Sequence, residues 1–161
     1  MITAEELREQ FDYDQETGAF TRRVRTSNRI KIGCVAGTLN SDGYLKFRVK
    51  NKKYFAHRLA WLYVYGVWPC AQIDHINGDR DDNRIANLRE ATCLENSRNT
   101  KKKRGTRCRL KGVYMQKHRF GAQIRARGKN IYLGYYDTEE EAHAAYVAAA
   151  EKEFGAFARV E

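Results

Sequence analysis

The chain has 161 residues, of which 42% are hydrophobic, and a formal net charge of +10. This hydrophobic share is too high for a disordered chain, and the length permits one medium domain or two small ones. No apolar run reaches the roughly 18 residues that a membrane span requires, and the start of the sequence lacks an apolar signal core. We therefore expect a soluble, cytoplasmic protein with no membrane partner.

The first half of the sequence contains signals for two helices and several strands. Thr3 and Glu6 have the spacing of a capping box, which predicts a helix at the start. Residues 13–20 indicate a turn that leads into a strand, and residues 33–49 show the alternation of apolar and polar side chains typical of β-structure. Residues 54–66 have helical spacing of their apolar side chains, which predicts a short buried helix that ends near the glycine.

The second half begins with a polar, Asn-rich segment at residues 74–99, followed by a basic linker at residues 101–111. The pattern of residues 112–136 predicts three short strands. Thr138 predicts the cap of a final helix, whose first turn is acidic. One face of this helix carries the small or flat side chains of Ala142, Ala145, Tyr146 and Ala149. That face is suited to lie close against a sheet.

The positive charge is unevenly distributed. Residues 101–136 contain 12 Lys or Arg residues and no Asp or Glu, whereas residues 1–100 contain 16 basic and 13 acidic residues. Because a solvated surface usually mixes both signs, the one-sided stretch favours a polyanionic partner such as the phosphates of nucleic acid.

The four cysteines are scattered, at Cys34, Cys70, Cys93 and Cys108. No two of them form the Cys-x-x-Cys half-site of a zinc centre, and their scatter also argues against a disulfide framework. We expect four reduced thiols and no structural zinc.

An ordered set of polar residues occupies the Asn-rich segment. It runs Asp74-His75, then Asn87-Leu88, then Asn96, and it is preceded by His57-Arg58-Leu59-Ala60-Trp61 and Gly66-Val67-Trp68-Pro69. This set resembles the HNH nuclease family, specifically its phage and intron-encoded branch, over about residues 54–100. The resemblance implies a β-hairpin followed by a helix, which together grip one metal ion and hydrolyse phosphodiester bonds.

Phosphodiester hydrolysis explains why these residue types are needed. A histidine such as His75 can activate water as a general base, because its reference pKa of about 6.5 lies near neutrality. Asp74 and Asn96 offer the hard oxygen ligands that suit Mg²⁺ or Mn²⁺. Carried over from the family, Asp74 and Asn96 would be the metal ligands, His75 the base, and Asn87 a brace for the connecting loop that helps to orient His75.

Several alternatives stay open at this point. Asn99 is a less favoured substitute for Asn96 as a ligand. Arg58, and less surely His57, would either contact the scissile phosphate or pack under the motif. Any of the residues taken alone could be a turn or cap residue, since Asn and Asp favour such positions. Catalysis is favoured by the order of the whole set.

A second pattern occupies about residues 111–158. Its segments are Lys111–Tyr114, Phe120–Arg127, Tyr132–Tyr136, Thr138–Ala142, Ala145–Tyr146 and Gly155–Ala158. They resemble the DNA-binding domain of plant ethylene-response factors, the APETALA-two type, which phage HNH nucleases also carry. The resemblance implies a three-stranded antiparallel sheet packed on one helix, with the sheet in the major groove of double-stranded DNA.

Alternation along the middle strand predicts which side chains face DNA. Ala122, Ile124 and Ala126 would face the helix, and Gln123, Arg125 and Arg127 would face outward. Arginine can read guanine and glutamine can read adenine in the major groove. Further base or phosphate contacts are expected from Lys117, Arg119, Lys129 and Tyr132. The family usually has Trp at the positions of Phe120 and Tyr132.

Together the patterns predict an α+β chain. A β-rich N-terminal region and a ββα-metal HNH motif are followed by a three-stranded antiparallel sheet packed on one helix. We expect a nuclease domain at residues 1–100 with its motif core at 54–100, a linker at 101–111 and a DNA-binding domain at 112–161.

The leading hypothesis is a metal-dependent, site-preferring DNA endonuclease, a homing-type phage enzyme that acts as a monomer in a bacterial host cell and has no small-molecule substrate. The alternative is a non-catalytic, sequence-specific DNA-binding regulator with a decayed HNH fold. The intact set of motif residues argues against decay. An RNA-binding protein is a weaker hypothesis, because the A-form major groove is too deep and narrow to read.

Overall fold

The computed structural model describes residues 1–25, 30–99 and 107–160, and the chain divides into two compact units, Met1–Thr92 and Cys93–Glu161. Both units mix helices and strands, which confirms the predicted α+β class. Residues 101–106 of the predicted linker lie outside the described residues, and the predicted domain limits stay a prediction.

Among its described residues, the first unit contains two α-helices, one 3-10 turn (Ile85–Asn87) and seven strands. In chain order the α-helices and strands are α1 (Ala4–Gln10), β1 (Phe11–Tyr13), β2 (Phe20–Arg22), β3 (Thr38–Leu39), β4 (Leu45–Val49), β5 (Lys52–Phe55), α2 (Ala56–Tyr65), β6 (Gln72–His75) and β7 (Leu88–Ala91). The strands form three antiparallel sheets, in the orders β1-β2, β3-β4-β5 and β6-β7.

Local signals in the sequence set the limits of both helices. The capping box predicted at α1 is present, since Thr3 Oγ1 accepts from Glu6 N at 3.2 Å and Thr3 N donates to Glu6 Oε2 at 3.0 Å. Helix α2 ends at Gly66, whose φ of 78° is left-handed. The prediction that helical structure begins at Tyr54 was wrong. Tyr54 and Phe55 instead pair with β4, so the helix begins at Ala56.

An aromatic core holds the first unit together. The ring centroids of Phe11, Phe20 and Phe47 lie 5.0–6.3 Å from one another, and Leu7 of α1 and Leu59 of α2 are fully buried in the same cluster. Burying an aromatic or leucine side chain typically contributes about 1.5–3 kcal/mol, so these contacts dominate the stability of a small unit. The same core reaches Ile73 and Leu88, and it therefore anchors the β6-β7 hairpin.

The second unit contains helix α3 (Cys93–Arg98), strands β8 (Val113–Gln116), β9 (Arg119–Ala126) and β10 (Lys129–Tyr136), and helix α4 (Glu139–Phe154). The strands form an antiparallel sheet in the order β10-β9-β8, as predicted. Thr138 caps α4, and its Oγ1 accepts from Glu141 N at 3.2 Å.

Small residues allow α4 to lie close against the sheet. Ala122, Ile124 and Ala126 are buried on one face of β9, and Ala142 and Tyr146 are buried on α4, as the sequence predicts. Gly112 is required at this contact, because a Cβ there would lie 2.0 Å from the ring of Tyr146.

All four cysteines are free thiols, and only Cys108 is buried. Among residues 1–25, 30–99 and 107–160, no helix is both long and apolar enough to cross a bilayer.

Candidate active site

The β6-β7 hairpin positions the first two motif residues. Its register pairs Asp74 with Arg89 and His75 with Leu88. Ile73, Asp74 and His75 are all buried, at 6%, 4% and 3% relative exposure. A buried carboxylate and a buried imidazole both cost desolvation energy, so their partners decide which charge states they hold.

Asp74 forms a buried ion pair with its cross-strand neighbour. Arg89 donates to Asp74 Oδ2 through Nε at 2.9 Å and through Nη2 at 2.7 Å. This two-bond arrangement fixes the orientation of the carboxylate. The sequence analysis missed Arg89. Its signal was the hairpin register, which places residues 74 and 89 opposite each other.

His75 lies among aromatic side chains on a different side of the strand. Its ring centroid is 5.1 Å from that of His57 and 5.9 Å from that of Tyr44. Burial lowers the pKa of His75 below its usual 6.5, while Asn83 and the nearby carboxylate of Asp74 oppose that shift. The imidazole is therefore neutral near pH 7 and able to accept a proton.

His57 is also neutral, and it is more strongly desolvated. Burial, with the neighbouring His75 and Arg58 as smaller causes, lowers the pKa of His57 to about 3. Its ring stacks on Phe55 at 5.1 Å, and its buried Nδ1 has no hydrogen-bond partner among the residues that the structure describes. His57 thus packs under His75 rather than reaching solvent.

Asn87 ties the loop between β6 and β7 together. Asn87 Oδ1 accepts from Asn77 N at 3.0 Å, and its Nδ2 donates to Asp82 O at 2.8 Å. Ile76 N also donates to Asn87 O at 2.9 Å. These bonds join both ends of residues 76–87. The catalytic role of Asn87 stays a prediction.

The far side of the loop rests on the β1-β2 turn. Tyr13 Oη donates to Asn83 O at 2.7 Å, and a Cβ on Gly18 would lie 2.5 Å from the backbone atoms Arg84 N and Asn83 C. Asn83 is 1% exposed. Sequence reasoning missed this support, because it depends on a contact between residues that are 70 positions apart.

Arg58 lies under the entry to β6. Its Nη1 donates to Ala71 O at 3.2 Å and its Nη2 to Pro69 O at 3.3 Å, and its guanidinium lies 5.9 Å from the Trp68 ring centroid. Glu90 supports the same segment by accepting from the backbone N of Cys70 at 2.6 Å. Arg58 is half-buried and occupied by these carbonyls, so packing under the motif is the interpretation that its contacts favour.

The third part of the motif belongs to the second unit. Asn96 lies half-buried in α3, and Asn99 is buried directly after it. The pairing of Asn96 with Asp74 as metal ligands stays a prediction. Among residues 1–25, 30–99 and 107–160, no three His, Cys, Asp or Glu side chains cluster as a metal site.

The residues expected to contact DNA in the second unit lie in three different settings. Arg119, Gln123 and Arg125 are exposed on the face of β9 away from α4, and Tyr132 pairs with Gln123 on that same face. Lys117 and Arg127 lie in the turns that flank β9, with φ of 53° and 52°. Arg127 is thus outside the strand on which the sequence placed it. Lys129 pairs with Ala126 and so falls on the opposite face.

Comparison with known proteins finds a family similarity over part of the chain. Residues 54–98 match the family model of the HNH endonucleases. No curated protein matches the chain. HNH nucleases generally use a divalent metal, and the matched segment spans α2, the β6-β7 hairpin and α3. The match therefore supports a nuclease that acts on DNA.

Proposed function

We propose that this chain is a metal-dependent, site-preferring DNA endonuclease, a homing-type enzyme of phage origin that acts as a monomer. The observation that carries the proposal is the setting of His75. This neutral, buried imidazole ends β6 beside Asp74, which pairs with Arg89, at the start of a loop that Asn87 ties together.

In this proposal His75 accepts the proton of the attacking water. A general base contributes roughly 10²–10⁴-fold, and it must be unprotonated at the working pH. Burial supplies that state, because it lowers the pKa of His75. Asn87 acts as a positioning residue, since its two side-chain bonds hold the loop that begins directly after His75.

The residues that would hold the divalent ion are Asp74 and Asn96. Their donor set fits Mg²⁺ or Mn²⁺, because Asp74 offers a carboxylate oxygen and Asn96 an amide oxygen, and these ions prefer oxygen ligands. A bound divalent ion would stabilise charge on the phosphate and on the leaving oxygen. Arg89 contributes by fixing the orientation of the Asp74 carboxylate.

The second unit would supply site preference. Gln123 and Arg125 point outward from a sheet of the kind that the ethylene-response-factor resemblance implies, and their side chains make no hydrogen bond or ion pair to the described residues. Such groups are suited to read base edges in the major groove. Arg119 would add phosphate contacts, and so would Lys117 and Arg127 from the flanking turns. Lys129 projects from the opposite face of the sheet and adds none in this arrangement.

A non-catalytic DNA-binding regulator is the second candidate, and the Asp74–Arg89 pair is the observation that favours it. A carboxylate already neutralised by arginine is a weaker metal ligand than a free one.

One experiment tests both candidates. The full-length protein is incubated with double-stranded phage and bacterial DNA, with Mg²⁺ or Mn²⁺ and with excess chelator. Cleavage at preferred sites that stops in chelator supports the endonuclease. Specific binding without cleavage under any metal supports the regulator, and undiminished cleavage in chelator contradicts the metal role.

A further inference from the structure

The near balance of charge in residues 1–100 conceals a strong segregation within the first unit. Residues 1–16 contain six acidic residues, and residues 74–95 contain six more. Between them, residues 17–73 contain 11 Lys or Arg residues and a single carboxylate, Asp42. This middle segment is almost as one-sided as the C-terminal basic stretch.

The β3-β4-β5 sheet collects part of that charge on one face. Lys46 pairs with Phe55 and Arg48 pairs with Lys53, so these four side chains project to the same side. Phe47 and Val49 project to the other side and are buried in the core. The basic face, defined as Lys46, Arg48 and Lys53, therefore points away from the core.

The basic face is not compensated by any carboxylate that the structure describes. Arg48 and Lys53 lie directly opposite each other, and like charges in such cross-strand positions destabilise a sheet. Neither they nor Lys46 form an ion pair with any described carboxylate. Lys50, in the adjoining turn, differs in this respect because it pairs with Glu6.

An open groove of about 1160 Å³ runs along this face. All three residues of the basic face line it, Arg22 joins them, and none of the described lining residues is acidic. The Arg22 guanidinium is held 5.2 Å from the Phe11 ring centroid, and the Lys46 ammonium 4.1 Å from that of Phe55. Two of the cations are thus oriented by aromatic rings rather than by counter-charges.

We propose that the basic face is a second DNA-binding surface, which holds the phosphate backbone of duplex DNA on the nuclease unit independently of the C-terminal sheet. An open groove whose described lining contains no carboxylate suits a polyanionic chain, whose bound counterions are released when lysine and arginine replace them. The proposal rests on DNA being the substrate. It adds a backbone contact that neither the HNH motif nor the β8-β9-β10 sheet provides.

Adjacent lysines on β5 offer a matched test in the full-length protein. Lys53 projects from the basic face, whereas Lys52 pairs with Val49 and projects from the other. Lys53→Ser and Lys52→Ser remove the same charge from neighbouring exposed positions. The affinity for a DNA duplex is measured by gel shift over a range of salt concentrations. Lys53→Ser should lower the slope of log affinity against log salt by about 0.9, and Lys52→Ser should leave it unchanged.

The double variant Arg48→Ser/Lys53→Ser should lower the slope by about 1.8. Its thermal unfolding should occur at the parent temperature or above it, because the cross-strand repulsion is removed. Equal effects of Lys52→Ser and Lys53→Ser would overturn the proposal, since they would report net charge alone. A slope change seen with duplex RNA but not with duplex DNA would overturn the DNA assignment.

The failure of this inference is distinguishable from failure of the proposed function. If the parent protein neither binds nor cuts DNA, the proposed function is wrong. If the parent binds and cuts DNA while the Lys53→Ser protein keeps the parent salt slope, only the second surface is wrong.

Discussion

The loop between β6 and β7 and the outward face of β9 are both polar, but their polar atoms have different partners. In the loop, Asn77, Asp82 and Asn87 bond to one another and to the loop backbone. On β9, Gln123 and Arg125 carry side chains that bond to none of the described residues. These three loop side chains are bonded within the loop, whereas the two side chains on β9 leave their donors exposed to a partner.

The difference indicates what each region can do. Polar atoms that are satisfied internally hold a backbone in one geometry, which a catalytic histidine needs. Exposed donors on a rigid sheet break no internal hydrogen bond when they bind a ligand, which suits recognition. Changes in the loop should therefore affect cleavage or stability, and changes on the sheet should affect binding.

The largest effect is expected from His75→Ala. Loss of the general base should slow cleavage roughly 10²–10⁴-fold while the affinity for DNA stays near the parent value. Single-turnover cleavage and gel shift on the same samples measure the two quantities. The Asp74→Ala protein should also cut slowly. Added Mg²⁺ or Mn²⁺ should partly restore its cleavage rate, since the substitution lowers the affinity for the metal.

A folded His75→Ala protein that still cuts at the parent rate would place the base elsewhere. His57 and His118 are the next candidates. His57 is buried and His118 is exposed in the β8-β9 turn, so the same substitution at each position would separate them.

The second effect concerns the sheet, where two arginines of the same type offer a comparison. Arg125 lies on β9 and points outward, whereas Arg127 lies in the turn and pairs with Glu153 at 3.5 Å. Arg125→Ala should weaken binding to the preferred site by about 1–3 kcal/mol and relax the preference. Arg127→Ala should weaken binding to all sequences alike. Competition gel shifts with preferred and random duplexes distinguish these outcomes. Identical competition profiles for the two variants would mean that Arg125 makes no base-specific contact.

The third effect tests whether the loop is self-supporting. Asn87→Ala removes two side-chain hydrogen bonds, and the residue is buried, so the free energy of unfolding should fall by about 2 kcal/mol. Cleavage should slow as well, because the loop follows His75. Asp81→Ala is the control in the same loop, since this side chain is exposed, bonds to none of the described residues and should change stability by less than about 0.5 kcal/mol. Urea denaturation provides both values, and equal losses would contradict the bracing role.

Local structure was largely predictable from the sequence because its signals are local. The cap at Thr3, the helix end at Gly66 and the buried face of β9 each depend on residues a few positions apart. Tyr54 and Phe55 were the exception. Their helical spacing is real, but pairing with β4 keeps both residues extended.

The parts of the site that were missed depend on contacts that no local pattern contains. Arg89 reaches Asp74 only through the hairpin register, and Tyr13 reaches Asn83 only through the packing of the first unit. The basic face on β4 and β5 was hidden for a different reason. When charge is averaged over residues 1–100, the positive charge of this segment cancels against the acidic residues that precede and follow it.

The smallest effect concerns the contact between the loop and the β1-β2 turn. Tyr13→Phe removes the hydroxyl that donates to Asn83 O at 2.7 Å, but it keeps the ring in the aromatic core. The free energy of unfolding should fall by about 1 kcal/mol, since one buried hydrogen bond is lost without a change in packing. Because Asn83 lies beside His75, the cleavage rate should fall slightly more than the stability loss alone explains.

Tyr65→Phe is the matched control for that change. Tyr65 is 53% exposed, its ring contact with Trp61 at 4.4 Å survives the substitution, and its hydroxyl bonds to none of the described residues. Stability should therefore change by less than about 0.5 kcal/mol, and cleavage should stay at the parent rate. Denaturant unfolding and single-turnover cleavage measure both variants. If the two phenylalanine variants behave alike, the β1-β2 turn does not support the loop, and the geometry of the loop depends on Asn87 and its neighbours alone.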